Sequence, residues 1–138
     1  MGQFHILLID DNDIDRMMIK RTFRHLETKR PPIIYEARDG KEALEILSNE
    51  IVDKPFIILL DLNMSGMDGI SFLKEVRSTP AFNSCVVFVV STSSSEIDIK
   101  QLYELNIAGY FIKPKDPREL QDFAAMIQNY SELIVLPA

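Results

Sequence analysis

Four stretches of the chain are apolar at almost every position: Phe4–Ile9, Phe56–Leu60, Cys85–Val90 and Gly109–Ile112. A run with no polar face reads as a strand covered on both sides, which is the signature of a parallel sheet flanked by helices. A fifth short run, Ile33–Ala37, follows the helix-stopping pair Pro31-Pro32 and is rich in β-branched residues, as a strand requires. Between these runs the period changes. Ile14, Met17, Met18 and Phe23 recur at roughly helical spacing among Arg16, Lys20, Arg21 and Arg24, and they are expected to form the buried side of a first helix, with the methionines as core filling. Asp39-Gly40-Lys41-Glu42 opens a second helix that buries Ala43, Leu44, Ile46 and Leu47. A third carries Ile70, Phe72, Leu73 and Val76 and ends near Ser78-Thr79-Pro80. The fourth carries Ile97, Leu102, Tyr103 and Leu105, with Ser93 and Glu96 spaced for a capping box, and the fifth starts around Pro117 and buries Leu120, Phe123, Ala124 and Ile127. Five strands alternating with five helices predict a doubly wound α/β sheet with right-handed crossovers.

At 138 residues, 46% of them hydrophobic, the chain is long enough for one domain with a layered core and too short for two. The formal net charge of −6 argues against direct nucleic-acid binding and against adhesion to an anionic membrane, and favours a cationic ligand or partner. No stretch reaches the roughly 20 apolar residues of a membrane span, and no basic-then-apolar leader opens the chain, so a cytoplasmic location is expected. The single cysteine, Cys85, lies inside an apolar run and reads as a small buried hydrophobe. His5 and His25 have no His or Cys partner at metal-ligand spacing and read as a core-edge and a solvated residue.

The chemistry gathers at the carboxyl ends of four strands, the edge where ligands sit in open sheets of this kind. The first ends in Asp10-Asp11, the third in Asp61, the fourth in Ser91 and the fifth in Lys113. Each alone is weak, since an acidic run most often caps a helix and a Lys-Pro pair is usually surface punctuation. Their coincidence is specific. Carboxylates about 5 Å apart repel by about 3 kcal/mol per pair at an effective dielectric near 20, so a cation must offset them. Mg²⁺, held by one or two carboxylates together with water and phosphate oxygens, does so. An aspartate beside such an ion is a competent nucleophile toward phosphorus, while Lys113 and the Ser91 hydroxyl suit phosphoryl oxygens. The set reads as a phosphoryl-accepting site.

The segments Leu7-Leu8-Ile9-Asp10-Asp11-Asn12, Leu60–Gly69, Val89-Val90-Ser91-Thr92 and Tyr110–Pro114 resemble those of the receiver domains of bacterial two-component response regulators, over nearly the whole chain. The resemblance implies a flavodoxin-like sheet of order 2-1-3-4-5 in one domain over residues 1–138, with a core of about 4–130 and a C-terminal extension at 131–138. It implies that Asp61 accepts a phosphoryl group from a phosphohistidine on a sensor histidine kinase or phosphotransfer protein. Asp10, Asp11, Asp61 and the Asn63 main-chain carbonyl would hold Mg²⁺, Ser91 and Lys113 would hold the phosphoryl group, and the bond before Pro114 would be cis. Ser91 and Tyr110 would act as the switch, altering the face of the fourth helix, fifth strand and fifth helix for an unidentified downstream protein. From the residues alone, Tyr110 reads equally well as a half-exposed strand aromatic.

Three positions depart from the family pattern. Ser65 stands where proline is frequent, Ser91 replaces the commoner threonine, and Thr92 is larger than the small residue often found there. Asn63 and Ser93 occupy the positions that tune hydrolysis of the acyl phosphate, and neither is ionisable, which implies slow to intermediate autodephosphorylation. The last eight residues include Leu133, Ile134, Val135 and Leu136, apolar enough to cover the core or a second copy of the chain, so a homodimer through them or through the switch face is a further expectation. Their wording, with that of the first and fourth strand ends, is similar to stand-alone regulators often paired with phytochrome-type or other hybrid kinases. Two other classes fit the residues less well. A haloacid-dehalogenase-like phosphohydrolase needs a second acid two residues after the nucleophile, where this chain has Asn63. A phosphorylation-independent binding module would lack the acidic pair or the lysine. A phosphoacceptor switch, with limited autophosphotransfer and autodephosphorylation, is favoured over a turnover enzyme.

Overall fold

The computed structural model describes residues 3–28, 30–64, 67–92 and 96–137. The elements alternate as β1 (His5–Ile9), α1 (Asp13–Arg24), β2 (Ile33–Ala37), α2 (Gly40–Ser48), β3 (Phe56–Leu60), α3 (Gly69–Ser78), β4 (Val86–Ser91), α4 (Glu96–Glu104), β5 (Gly109–Ile112) and α5 (Pro117–Leu133). All strands pair in parallel in the order β2-β1-β3-β4-β5, as the resemblance implied. Because side chains alternate across a strand, the sheet divides its apolar residues between two cores. Leu7, Ile9, Ile58, Leu60, Val87 and Val89 pack with α2, α3 and Leu102 on one face. Ile6, Leu8, Ile57, Leu59, Phe88 and Val90 pack with α1 and α5 on the other.

Helix starts follow their capping chemistry. Asn12, Asp39, Asp68 and Asp116 are N-caps whose side chains each accept a main-chain N–H three residues on. Pro117 sits in the first turn of α5, where its missing N–H costs nothing.

The apolar face expected for α1 is corrected. Ile14, Met17 and Met18 are exposed, at 63%, 50% and 42%; Phe23 is buried as expected, and Arg16 and Ile19 are buried with it. Ile19 and Phe23 lie one turn apart and set the buried stripe, and Arg16 falls on the same stripe because its guanidinium finds carbonyl and carboxylate partners there. Met126, in α5, is partly buried against the second core.

The cis bond expected before Pro114 is not found; among the described residues the cis peptide bond is Lys54–Pro55. The trans preference of an X–Pro bond is only about 0.5–1 kcal/mol, so local chain path decides the isomer. The Lys113 N–H donates to the Ser91 carbonyl at 2.8 Å, which holds the start of this segment against the end of β4.

His5 is buried, with Nδ1 3.1 Å from the Pro55 carbonyl oxygen, and His25 is exposed at the end of α1. Cys85 is half-buried and packs against the first core, and burial raises its thiol pKa. Beyond α5, Leu136 packs against the second core while Leu133 and Val135 are exposed. No helix among the described residues is long and apolar enough to cross a membrane.

Candidate functional site

Backbone pairing assembles the site before any side chain acts. Ile9 is in register with Leu60, so the next residues, Asp10 and Asp61, leave neighbouring strands side by side. The Asp61 N–H donates to the Ile9 carbonyl at 2.9 Å, and the Asp10 N–H to the Ala37 carbonyl at 3.0 Å. The place is the switch point of the sheet, where β1 and β3 are neighbours and the strand order reverses, and open α/β sheets bind their ligands at such a point. Ser91 stands at the end of β4 and Lys113 directly follows β5.

Asp10, Asp11 and Asp61 each offer a carboxylate oxygen within 4.8 Å of the others. Asp10 and Asp61 are buried, at 2% and 7% exposure, and Asp11 is exposed. Lys113 Nζ lies 3.0 Å from Asp10 Oδ2, 2.6 Å from Asp15 Oδ2 and 3.8 Å from Asp61 Oδ2. Burial raises the Asp61 pKa, the Lys113 charge pulls it back and Asp10 pushes it up again, with a net result of about 6. For Lys113, burial works against the ammonium, but hydrogen bonds to Asp15 and Asp10 and the charges of Asp10 and Asp61 outweigh it and lift its pKa to about 12. Three clustered hard oxygen donors with one ammonium leave the site electron-rich, and they fit a divalent cation of the oxygen-seeking kind.

The loops add donors. The Asn12 N–H donates to Asp10 Oδ1 at 2.9 Å, and the Asn63 N–H to Asp61 Oδ1 at 3.2 Å. Asn63 Nδ2 donates to Ser91 Oγ at 3.4 Å and to Thr92 Oγ1 at 3.3 Å, spanning the ends of β3 and β4. Ser91 is fully buried and Thr92 is exposed. Gly69 lets the returning chain touch the site: a Cβ there would stand 2.7 Å from the Asp61 carbonyl oxygen and 2.8 Å from Leu62 Cα. Tyr110 is half-buried against the first core.

The structure thus brings Asp10, Asp11, Asp61 and Lys113 together, with Asn63 and Ser91 beside them. Ser65, Ser93 and the capping box between Ser93 and Glu96 lie outside the described residues.

Two residues next to the site were not anticipated. Asp15 reaches Lys113 from the first turn of α1, and Arg16 donates from Nη1 to the Asp10 carbonyl at 2.6 Å, from Nε to Glu36 at 3.2 Å, and to Asp13. Arg16, at the head of the Ile19–Phe23 stripe, was the available signal: a basic residue on a buried face needs acceptors, and acids at Asp13 and Glu36 supply them. Asp15 left no signal of its own.

Known proteins agree with this geometry. Rcp1, a response regulator of Synechocystis sp., is 32% identical over 96% of this chain and 92% of its own length. Sporulation initiation phosphotransferase F of Bacillus subtilis is 30% identical over 85% of this chain and 87% of its own. The crystal structure of the phosphorylated cyanobacterial phytochrome response regulator RcpA superposes with a TM-score of 0.89 at 30% identity, covering 99% of this chain and all of that one. The Mn²⁺-bound form of Rcp1 superposes with a TM-score of 0.85 at 28% identity, covering 99% of this chain and all of that one. The family model of the response regulator receiver domain matches residues 6–125. With Asp10, Asp61 and Lys113 converging at the switch point of a 2-1-3-4-5 sheet, this chain belongs to the response regulator receiver domains, the phosphorylation-activated switches of two-component signalling.

Proposed function

We propose that Asp61 is the phosphoacceptor and that it takes a phosphoryl group from a phosphohistidine on a sensor histidine kinase or phosphotransfer protein. An Asp61 carboxylate oxygen forms the new bond to phosphorus as the P–N bond of the donor breaks, and the departing imidazole takes a proton from solvent. The observation that carries this reading is the cluster itself: three carboxylates within 4.8 Å, with the Lys113 ammonium 3.8 Å from Asp61. Asp10, Asp11, Asp61 and the Asn63 carbonyl would hold Mg²⁺, which when bound supplies positive charge against the carboxylates and the incoming phosphoryl oxygens. Lys113 and the Ser91 hydroxyl orient that group.

The signal then leaves through Ser91 and Tyr110. Phosphorylation adds about −1.5 to −2 charges next to Lys113 and Ser91. Drawing Ser91 toward them vacates space on the α4 side of β4, into which Tyr110 turns, and the α4-β5-α5 face changes for a downstream protein. Asn63 and Ser93 provide no ionisable base for water, which favours a long-lived phosphorylated state. The likeness to Rcp1 and RcpA supports a place in the phytochrome-associated branch. A cytoplasmic location fits such a role, and the apolar segment after Tyr130 or the α4-β5-α5 face offers contact area for a homodimer.

The test is incubation with Mg²⁺ and acetyl phosphate or phosphoramidate, followed by intact mass measurement. One phosphoryl group is gained by the native chain and none by Asp61→Asn. Equal gain by both chains overturns the assignment.

A further inference from the structure

Asp15 makes the shortest contact to Lys113, 2.6 Å from Oδ2 to Nζ, yet the sequence gives it no place in the site. It differs from the other two partners of that ammonium in how much water it sees. The Asp15 side chain is 34% exposed, against 3% for Asp10 and 8% for Asp61. It also lies in the first turn of α1, where the unpaired N–H groups stabilise a negative charge. Letting go of Lys113 therefore costs Asp15 little, because water and the helix terminus take over its solvation. Asp10, stripped of the same ammonium, would keep the Asn12 N–H but be a buried carboxylate without that cation. The loop fixes the arrangement: the Asn12 N–H donates to Asp10 Oδ1, and Asn12 Oδ1 accepts from the Asp15 N–H at 2.9 Å, so Asp10 and Asp15 are set by one capping residue.

We propose that Asp15 is a positioning residue that draws the Lys113 ammonium toward the α1 side of the site, so that it holds one oxygen of Asp10, stays 3.8 Å from Asp61 and leaves the other oxygens of the Asp10–Asp11–Asp61 cluster to a divalent cation. The proposal rests on the cation-dependent reading of that cluster given above. Lys113 stays within reach and is released at low cost when a phosphoryl group arrives on Asp61. Without the Asp15 carboxylate, all the donors of Nζ turn to Asp10 and Asp61, and lysine and cation compete for the same oxygens.

The test is Mg²⁺ titration calorimetry on five chains: native, Asp15→Asn, Asp15→Glu, Lys113→Met and the Asp15→Asn/Lys113→Met pair. Asp15→Asn is expected to weaken Mg²⁺ binding about three- to ten-fold. Asp15→Glu keeps the anion and stays within about two-fold of native. In the Lys113→Met background, where nothing is left to park, Asp15→Asn changes affinity by less than about two-fold. A full effect that persists in that background identifies Asp15 as a direct long-range attractor of the cation and overturns the proposal, as does an unchanged affinity of Asp15→Asn in the native background. Absence of Mg²⁺ binding by the native chain overturns the cation reading of the cluster, and this inference with it, and is seen before any variant is compared.

Discussion

Asn63 Nδ2 donates to Ser91 Oγ at 3.4 Å, so the loop that follows β3 is tied to the hydroxyl at the end of β4. The same amide reaches Thr92 Oγ1 at 3.3 Å, and the Asn63 main-chain N–H holds Asp61 Oδ1. One residue therefore touches both the proposed phosphoacceptor and the hydroxyl proposed to move in response.

Replacing that amide tests the tie. Asn63→Ala leaves the main-chain bond to Asp61 in place and takes the amide away from Ser91 and Thr92, and removal of each of these two weak side-chain hydrogen bonds costs about 0.5–1.5 kcal/mol. The acyl phosphate formed from phosphoramidate is expected to remain on Asp61 in both chains, with its decay rate altered in Asn63→Ala. The measurement is loss of the phosphorylated mass with time. An unchanged decay means that Ser91 is not restrained by Asn63. Decay of the native phosphorylated chain within seconds would count against the slow turnover inferred from Asn63 and Ser93.

The Asp61 carboxyl titrates near 6 in the cation-free chain, above its ordinary value of 3.8. A folded-state value above the unfolded one means the group favours folding below about pH 4 and loses that contribution as pH rises through about 6. Cation-free Asp61→Asn is therefore expected to be more stable than the native chain at pH 7.5, on the order of 2 kcal/mol, with the gap closing toward pH 4.5. Urea unfolding in EDTA at both pH values measures it. A gap independent of pH refutes the linkage.

Gly69→Ala places a methyl against the Asp61 carbonyl and the Leu62 backbone, neither of which is the yielding end of a side chain. Overpacking of this kind costs about 1–3 kcal/mol. The loop that carries Asp61 must shift, so phosphorylation by acetyl phosphate is expected to slow together with the loss of stability. Urea unfolding and the rate of mass gain report the two effects separately.

Arg16→Met keeps most of the buried stem and removes the guanidinium. The Asp10 carbonyl and part of the Glu36 carboxylate lose their donors, although Lys20 still reaches Glu36 at 3.0 Å. The expected loss is about 2 kcal/mol of unfolding free energy, read from the urea midpoint. Arg16→Lys is expected to recover little of it, because one nitrogen cannot span acceptors that Arg16 reaches from three separate nitrogens of its planar fork.

The strands were legible because β1, β3 and β4 are apolar on both faces, a pattern that parallel sheets require and helices of this length do not. The strand ends followed at once, since parallel strands deliver their carboxyl termini to one edge, and Asp10, Asp61 and Lys113 meet there. The buried side of α1 was not legible from apolar spacing: Met17 and Met18 offered the right chemistry on the wrong side, while the true stripe hid behind a charged Arg16. Asp15, and the contact of the already expected Asn63 with Ser91, were not legible for a different reason. Their contacts, to Lys113 and to Ser91, join residues far apart in the chain, and no local periodicity encodes them.

The register of β1 against β3 fixes Asp10 and Asp61 by main-chain bonds at the centre of the sheet. The spacing of the two acids is then a property of the ladder and survives substitution of almost any exposed residue. A partly unfolded chain in which these two strands have parted would hold no reactive pair. The capacity to be phosphorylated can therefore serve as an assay for native structure, lost in step with the central ladder and regained with it on refolding.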